Sequence, residues 1–132
     1  MDILQAKKLI KDLEKELKVF TEVDEIICDY NNPDEQFVAG QLMQIANKLA
    51  DAHLQFKYLC KPIRIEGHLT QRSDGRYEIE STDYYFTSGS IIEIWDKDYN
   101  RYFLTSIEYK NDDYYATSSP NLTLEGLKVR IR

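Results

Sequence analysis

Long hydrophobic runs, blocks of basic charge and metal-type ligands are what this sequence has least of. Its 132 residues include 2 Cys, 2 His, 3 Pro and 5 Gly, and 23 Asp/Glu against 17 Lys/Arg leave a net charge of −6. The deficit is even: 8 Lys/Arg face 11 Asp/Glu through Lys61, and 9 face 12 after it. Neither half is therefore a basic arm, and such a chain repels a phosphate backbone unless its cations gather on one face. No apolar run reaches the length of a signal-peptide core or a membrane span, and Met1 is followed by Asp2, so a cytoplasmic protein without membrane contact is expected. In that setting Cys28 and Cys60 are expected as free thiols, and the sequon Asn121-Leu122-Thr123 as an ordinary loop.

Chemistry needs a positioned nucleophile and base, or a metal site. His53 and His68 lie in different halves, there is no glycine-rich phosphate loop, and no His/Cys set has metal-binding spacing. The carboxylate pairs Asp112-Asp113 and Asp96-Lys97-Asp98 fall in turn-forming stretches, where Asp is favoured for its backbone hydrogen bonds. No catalytic residue, cofactor or metal is expected, and the chain reads as a non-enzyme.

What is present is organised in two halves. From Asp2 to Phe20 the residues Ile3, Ala6, Ile10, Leu13, Leu17 and Phe20 recur at steps of three and four, one face of a helix. Lys8, Lys11, Lys15 and Lys18 form a second stripe. This stripe reads either as a contact for an acidic partner or, the plainer reading, as a solvated face with Glu14 and Lys18 paired across one turn. Thr21 to Glu35 is acidic with no Lys or Arg, and reads as a loop with a short apolar contact at Ile26 and Ile27. Asn32 is placed to cap a second helix, with Pro33 at its first position and Glu35 able to bond back to the cap amide.

That helix is expected from Pro33 to about Leu59. Val38, Leu42, Ile45, Leu49, Ala52, Phe56 and Leu59 alternate by four and three, the spacing of a helix-pairing seam. His53, one step off the seam, reads as a flank residue. An antiparallel hairpin is the simplest arrangement, and a homodimer through the helices is the other use of such stripes.

Pro62 ends the helix, and beyond it the period changes to two. Strands are expected at Ile63–Leu69, Tyr77–Glu80, Ile91–Trp95, Tyr102–Tyr109, Tyr114–Thr117 and Leu127–Ile131, with Thr82–Phe86 a short aromatic segment. Gly67 marks a bulge or a close backbone approach. Glu93 is expected to stay solvated, leaving Trp95 partly covered. The resulting fold class is α+β: a helical hairpin over 1–61 packed on a small antiparallel SH3-like β-barrel over 62–132. An open meander backed by the second helix is the alternative.

Within the C-terminal half, the order Gly75-Arg76-Tyr77-Glu78-Ile79, Ser88-Gly89-Ser90-Ile91-Ile92-Glu93-Ile94, Tyr102 through Thr105-Ser106-Ile107-Glu108, Asp113-Tyr114-Tyr115 and Leu124-Glu125-Gly126-Leu127-Lys128-Val129-Arg130-Ile131 resembles a family catalogued only as a domain of unknown function. Its members are short proteins of Gram-positive bacteria and their mobile elements. The closing Leu-Glu-Gly-Leu-x-Val-Arg-Ile is the most specific part. A second Trp is expected where Tyr102 stands, and Gly-Asp where Gly89-Ser90 stands. The resemblance assigns no functional residue; it implies the context of plasmids, phages and integrative elements.

Tyrosine is abundant, 10 of 132 residues, and in an alternating strand neither Tyr84-Tyr85 nor Tyr114-Tyr115 can bury both rings. Exposed Tyr and Trp dominate binding surfaces, although β-strands favour Tyr for structural reasons as well. The expected function is thus a non-catalytic protein-binding module. Its sharpest form is an inhibitor of a host nuclease, anti-CRISPR-like, that places Glu22, Asp24, Glu25 and Asp29 in a basic channel and uses Tyr84, Tyr85, Trp95, Tyr114 and Tyr115 as anchors. The alternatives are a nucleic-acid-binding accessory, with Arg64, Arg72, Arg76, Arg101, Lys128, Arg130 and Arg132 on phosphates, and a self-associating structural protein.

Overall fold

In the computed structural model, which describes residues 1–132, helices α1 (Ile3–Thr21) and α2 (Pro33–Leu59) precede six strands. These are β1 (Ile65–Gln71), β2 (Tyr77–Ile79), β3 (Ile91–Asp96), β4 (Arg101–Lys110), β5 (Asp113–Ala116) and β6 (Lys128–Ile131). The chain divides into two units, Met1–Cys60 and Lys61–Arg132. The class is α+β, and no helix is long and apolar enough to cross a membrane.

Helix starts are written in local sequence. Asp2 caps α1 in a reciprocal box with Gln5: each side chain takes the other's backbone N–H, at 2.8 and 2.9 Å. Asn32 Oδ1 accepts from Asp34 and Glu35 at 3.1 and 3.3 Å, with Pro33 at the first position where no N–H is needed. The Glu35 carboxylate does not return to the cap as its spacing predicts. The Asn32 N–H is already given to the Asp29 carbonyl, so Glu35 Oε2 accepts from the Asp29 N–H instead, at 2.8 Å.

Between the helices two further expectations change. Glu14 pairs with His53 Nδ1 on α2 and not with Lys18 on its own helix, so His53 joins the two helices. The four-three seam is not sealed: α1 buries no residue, and in α2 only Ala39 and Ala46 are buried while Val38, Leu42 and Ile45 are exposed. Spacing defines a stripe; it does not say which edge of the stripe is covered.

The sheet order is β2-β1-β6-β3-β4-β5, all antiparallel. Two strands change partner midway. Residues 65–68 of β1 pair with β6 and 69–71 with β2; residues 101–106 of β4 pair with β3 and 107–110 with β5. Neighbours on the two edges of each strand are thus staggered along it, the offset that accompanies coiling, and the sheet curls into a half-barrel. The pKa of Arg76, just before β2, is raised above its ordinary value, chiefly by the Tyr114 side chain of β5.

The concave side holds the core: Leu69, Ile79, Phe86, Ile92, Ile94, Ile107, Leu124, Val129 and Ile131, joined by Tyr77 and Ala116. Thr82–Phe86 is not a strand. It makes one bridge, Glu78 to Tyr85, and delivers Phe86 to the core through its N–H on the Tyr77 carbonyl at 2.8 Å. Gly67 is the close approach its position predicts and not a bulge, because β1 and β6 stay in register across it. A Cβ there would lie 2.6 Å from Ile79 Cγ2.

Candidate functional site

Alternation along each strand sends half of its side chains to the convex face. Since Ile92, Ile94, Val129 and Ile131 point inward, Glu93 and Trp95 of β3 and Lys128 and Arg130 of β6 point outward, as does Arg132, which follows β6. Register then sets their neighbours. One row across four strands reads Glu66, Arg130, Glu93, Leu104; the adjacent positions pair His68 with Lys128, and Trp95 with Tyr102.

Glu93 corrects the sequence reading. It is not solvated but 6% exposed, with Oε1 accepting from Arg130 Nε at 3.0 Å and Oε2 from Arg132 Nε at 3.1 Å. Burying a carboxylate is tolerable only when both oxygens are engaged, and the two arginines, two residues apart on one strand face, supply that. Arg132 also donates to the Lys61 carbonyl at 3.3 Å.

Beside this clamp, Trp95 and Tyr102 meet edge to face, with centroids 5.0 Å apart and planes at 67°. Lys128 Nζ lies 5.1 Å from the Trp95 ring and 5.9 Å from Tyr102, and the Arg130 guanidinium lies 3.8 Å over Tyr102. The ring pair is worth about 1 kcal/mol beyond its buried area and each cation about 0.5–1 kcal/mol. Both rings are half-buried. Trp95 was among the residues the sequence singled out; Tyr102 and Glu93 were not. The polar turn after Trp95 carried the missing signal, because it folds Tyr102 back opposite Trp95.

The other singled-out aromatics are dispersed. Tyr84 packs on the core edge-on to Phe86 at 5.0 Å, with Arg64 5.3 Å above it. Tyr85 is 42% exposed and is flanked by Arg72 at 4.6 Å and Arg76 at 5.6 Å. Tyr114 packs on the core and on Tyr109 at 4.9 Å, while Tyr115 stands opposite Glu108. Each adjacent tyrosine pair thus sends one ring to the core. The arginines reserved for phosphate are mostly engaged in cation–π contacts or in the Glu93 clamp.

Glu22, Asp24, Glu25 and Asp29 belong to the first unit and are exposed. Glu25 Oε1 accepts from the Tyr30 hydroxyl at 3.2 Å, and that hydrogen bond raises the Tyr30 pKa. Asp29 Oδ1 accepts from the Asn31 N–H at 2.9 Å. Asp96 and Asp112 have turn roles: Asp96 Oδ1 accepts from Asp98 and Tyr99, and Asp112 adopts φ 63°. Cys28 is half-buried and Cys60 exposed, both free.

The motif Leu124 to Ile131 is accounted for by folding. Leu124, Val129 and Ile131 are core residues, Glu125 accepts from the Gln71 N–H at 2.8 Å, Gly126 turns at φ 79°, and Arg130 holds Glu93. No curated protein and no solved structure matches the chain. Residues 67–131, from the Gly67 crossing to the end of β6, match the family model described as Domain of unknown function (DUF5348), and to that family the C-terminal half is similar.

Proposed function

We propose that the chain acts by binding, without catalysis, on a protein partner that meets the convex face of the sheet around Trp95 and Tyr102. The observation that carries this is the half-buried ring pair roofed by Lys128 and Arg130. It offers rigid aromatic area with cationic rims, the composition of interface anchors. The sharpest form of the reading is an inhibitor of a host nucleic-acid-targeting nuclease, anti-CRISPR-like, made by a mobile element of a Gram-positive bacterium and working in the cytoplasm. Glu22, Asp24, Glu25 and Asp29 then serve as the contacts to a basic channel. With it goes the finer architecture, a hairpin of antiparallel helices and an SH3-like barrel; the midway partner changes of β1 and β4 support the barrel.

A second reading, nucleic-acid binding by the same face, is favoured by the stacking of Arg130 on Tyr102 at 3.8 Å, since ring and guanidinium together can hold a base and its phosphate. One experiment separates the two. Tagged protein is incubated with a Gram-positive lysate, with and without nuclease treatment, and retained proteins are identified. A nucleic-acid enzyme retained after treatment, lost with Trp95→Ala and with reversal of the four acids to Lys, is the expected result. Retention that disappears on treatment moves the assignment to nucleic acid. Retention unchanged by all these substitutions overturns both.

A further inference from the structure

We propose that the first unit self-associates reciprocally, the acidic loop 22–29 of one copy seating in the groove between α1 and α2 of a second copy. This goes beyond the sheet-face reading and does not depend on it.

The groove is a recess of about 980 Å³ between the C-terminal parts of the two helices, large enough for a short peptide segment. Its floor is apolar, with Ile10, Leu13 and Leu17 from α1 facing Leu49 and Phe56 from α2. Lys11, Lys15, Lys18 and Lys57 stand along it and outnumber the two carboxylates there, Glu14, which is paired with His53, and Glu22 at the mouth of the groove. An occupant must therefore be apolar in the middle and acidic along its length.

The loop has this composition. Ile27 is 89% exposed, an unusual position for a large aliphatic side chain. Glu22, Asp24, Glu25 and Asp29 surround it without any Lys or Arg in the segment. The stretch 23–29 forms neither helix nor strand, so it can lie along a groove. Groove and loop belong to one unit, and a two-fold axis lets each copy give its loop and receive the other's, the self-complementarity a closed dimer requires. The lysine stripe and the acidic loop, each unexplained alone, are then the two halves of one contact. Association also covers α1, of which no residue is buried in the single chain. A loop seated in a second copy is withheld from any other basic partner, so the two uses of its acids exclude each other.

Sedimentation of the full chain over a range of concentrations tests this by charge exchange. One variant carries Asp24→Lys and Glu25→Lys; another carries Lys15→Glu and Lys18→Glu. All four side chains are exposed, and circular dichroism checks that helix content is unchanged. The wild type is expected to pass from monomer to dimer, and each variant alone to dissociate at least about tenfold more readily through like-charge contacts. The equimolar mixture of the two is expected to dimerise again, because each loop then meets an opposite rim. A monomeric wild type overturns the proposal, as do variants that dimerise like the wild type and a mixture that stays monomeric.

Discussion

Gly67 has no side chain because Ile79 occupies the space where one would start. A Cβ 2.6 Å from Ile79 Cγ2 forces movement in a residue that is fully buried, so Gly67→Ala is expected to cost about 2 kcal/mol. Adding Ile79→Leu, which removes the Cγ2 branch, should recover part of that loss in urea unfolding. Glu93 is the other position where one residue organises many. Glu93→Gln leaves Arg130 and Arg132, both largely buried, without their anion, for an expected loss of about 3 kcal/mol. The emission of Trp95, the single tryptophan, reports unfolding of the same face. Glu93 was misread from sequence because alternation assigns it to the outer face, and a carboxylate on an outer face is ordinarily wet. Only the register, which brings Arg130 opposite it with Arg132 next along, makes burial affordable.

At the level of elements, local chemistry sets the boundaries. Asn32 and Pro33 announce α2, and Asn32→Ala is expected to destabilise that helix by about 1 kcal/mol, seen as lost ellipticity in the thermal transition. The β4–β5 hairpin turns on Asn111 and Asp112, both at positive φ, in a two-residue loop that favours Asn-Gly. Asp112→Gly should therefore stabilise the protein by about 0.5 kcal/mol, measured as a higher urea midpoint. The strands are legible because burial on one face imposes period two. Thr82–Phe86 has that composition as well, but its neighbour β2 is only three residues long, and the segment spends its backbone on a turn that buries Phe86. The helix seam was legible as a stripe, and its coverage was not.

For the whole molecule, three tyrosines couple stability to alkaline pH. Burial first, then the charges of Asp113 and Glu125, raises the pKa of Tyr77; burial, then Asp112, raises that of Tyr109; and the hydrogen bond to Glu25 raises that of Tyr30. The unfolded chain releases these protons at about pH 10, before the folded one does. Stability from these groups is therefore complete below that pH and falls as pH rises beyond it. Phenolate absorbance is expected to show tyrosines that ionise later than free tyrosine, and the urea midpoint to fall over the same range. The linear sequence by itself determined the α+β class, the two helices, the six strands and their turns, because these depend on residue spacing, caps and glycine placement within a few residues. Tertiary structure alone decided that Glu93 is buried, that Trp95 meets Tyr102 and that Glu14 reaches His53 and not Lys18. Those outcomes depend on which residues the register and the helix pairing bring together across long stretches of chain.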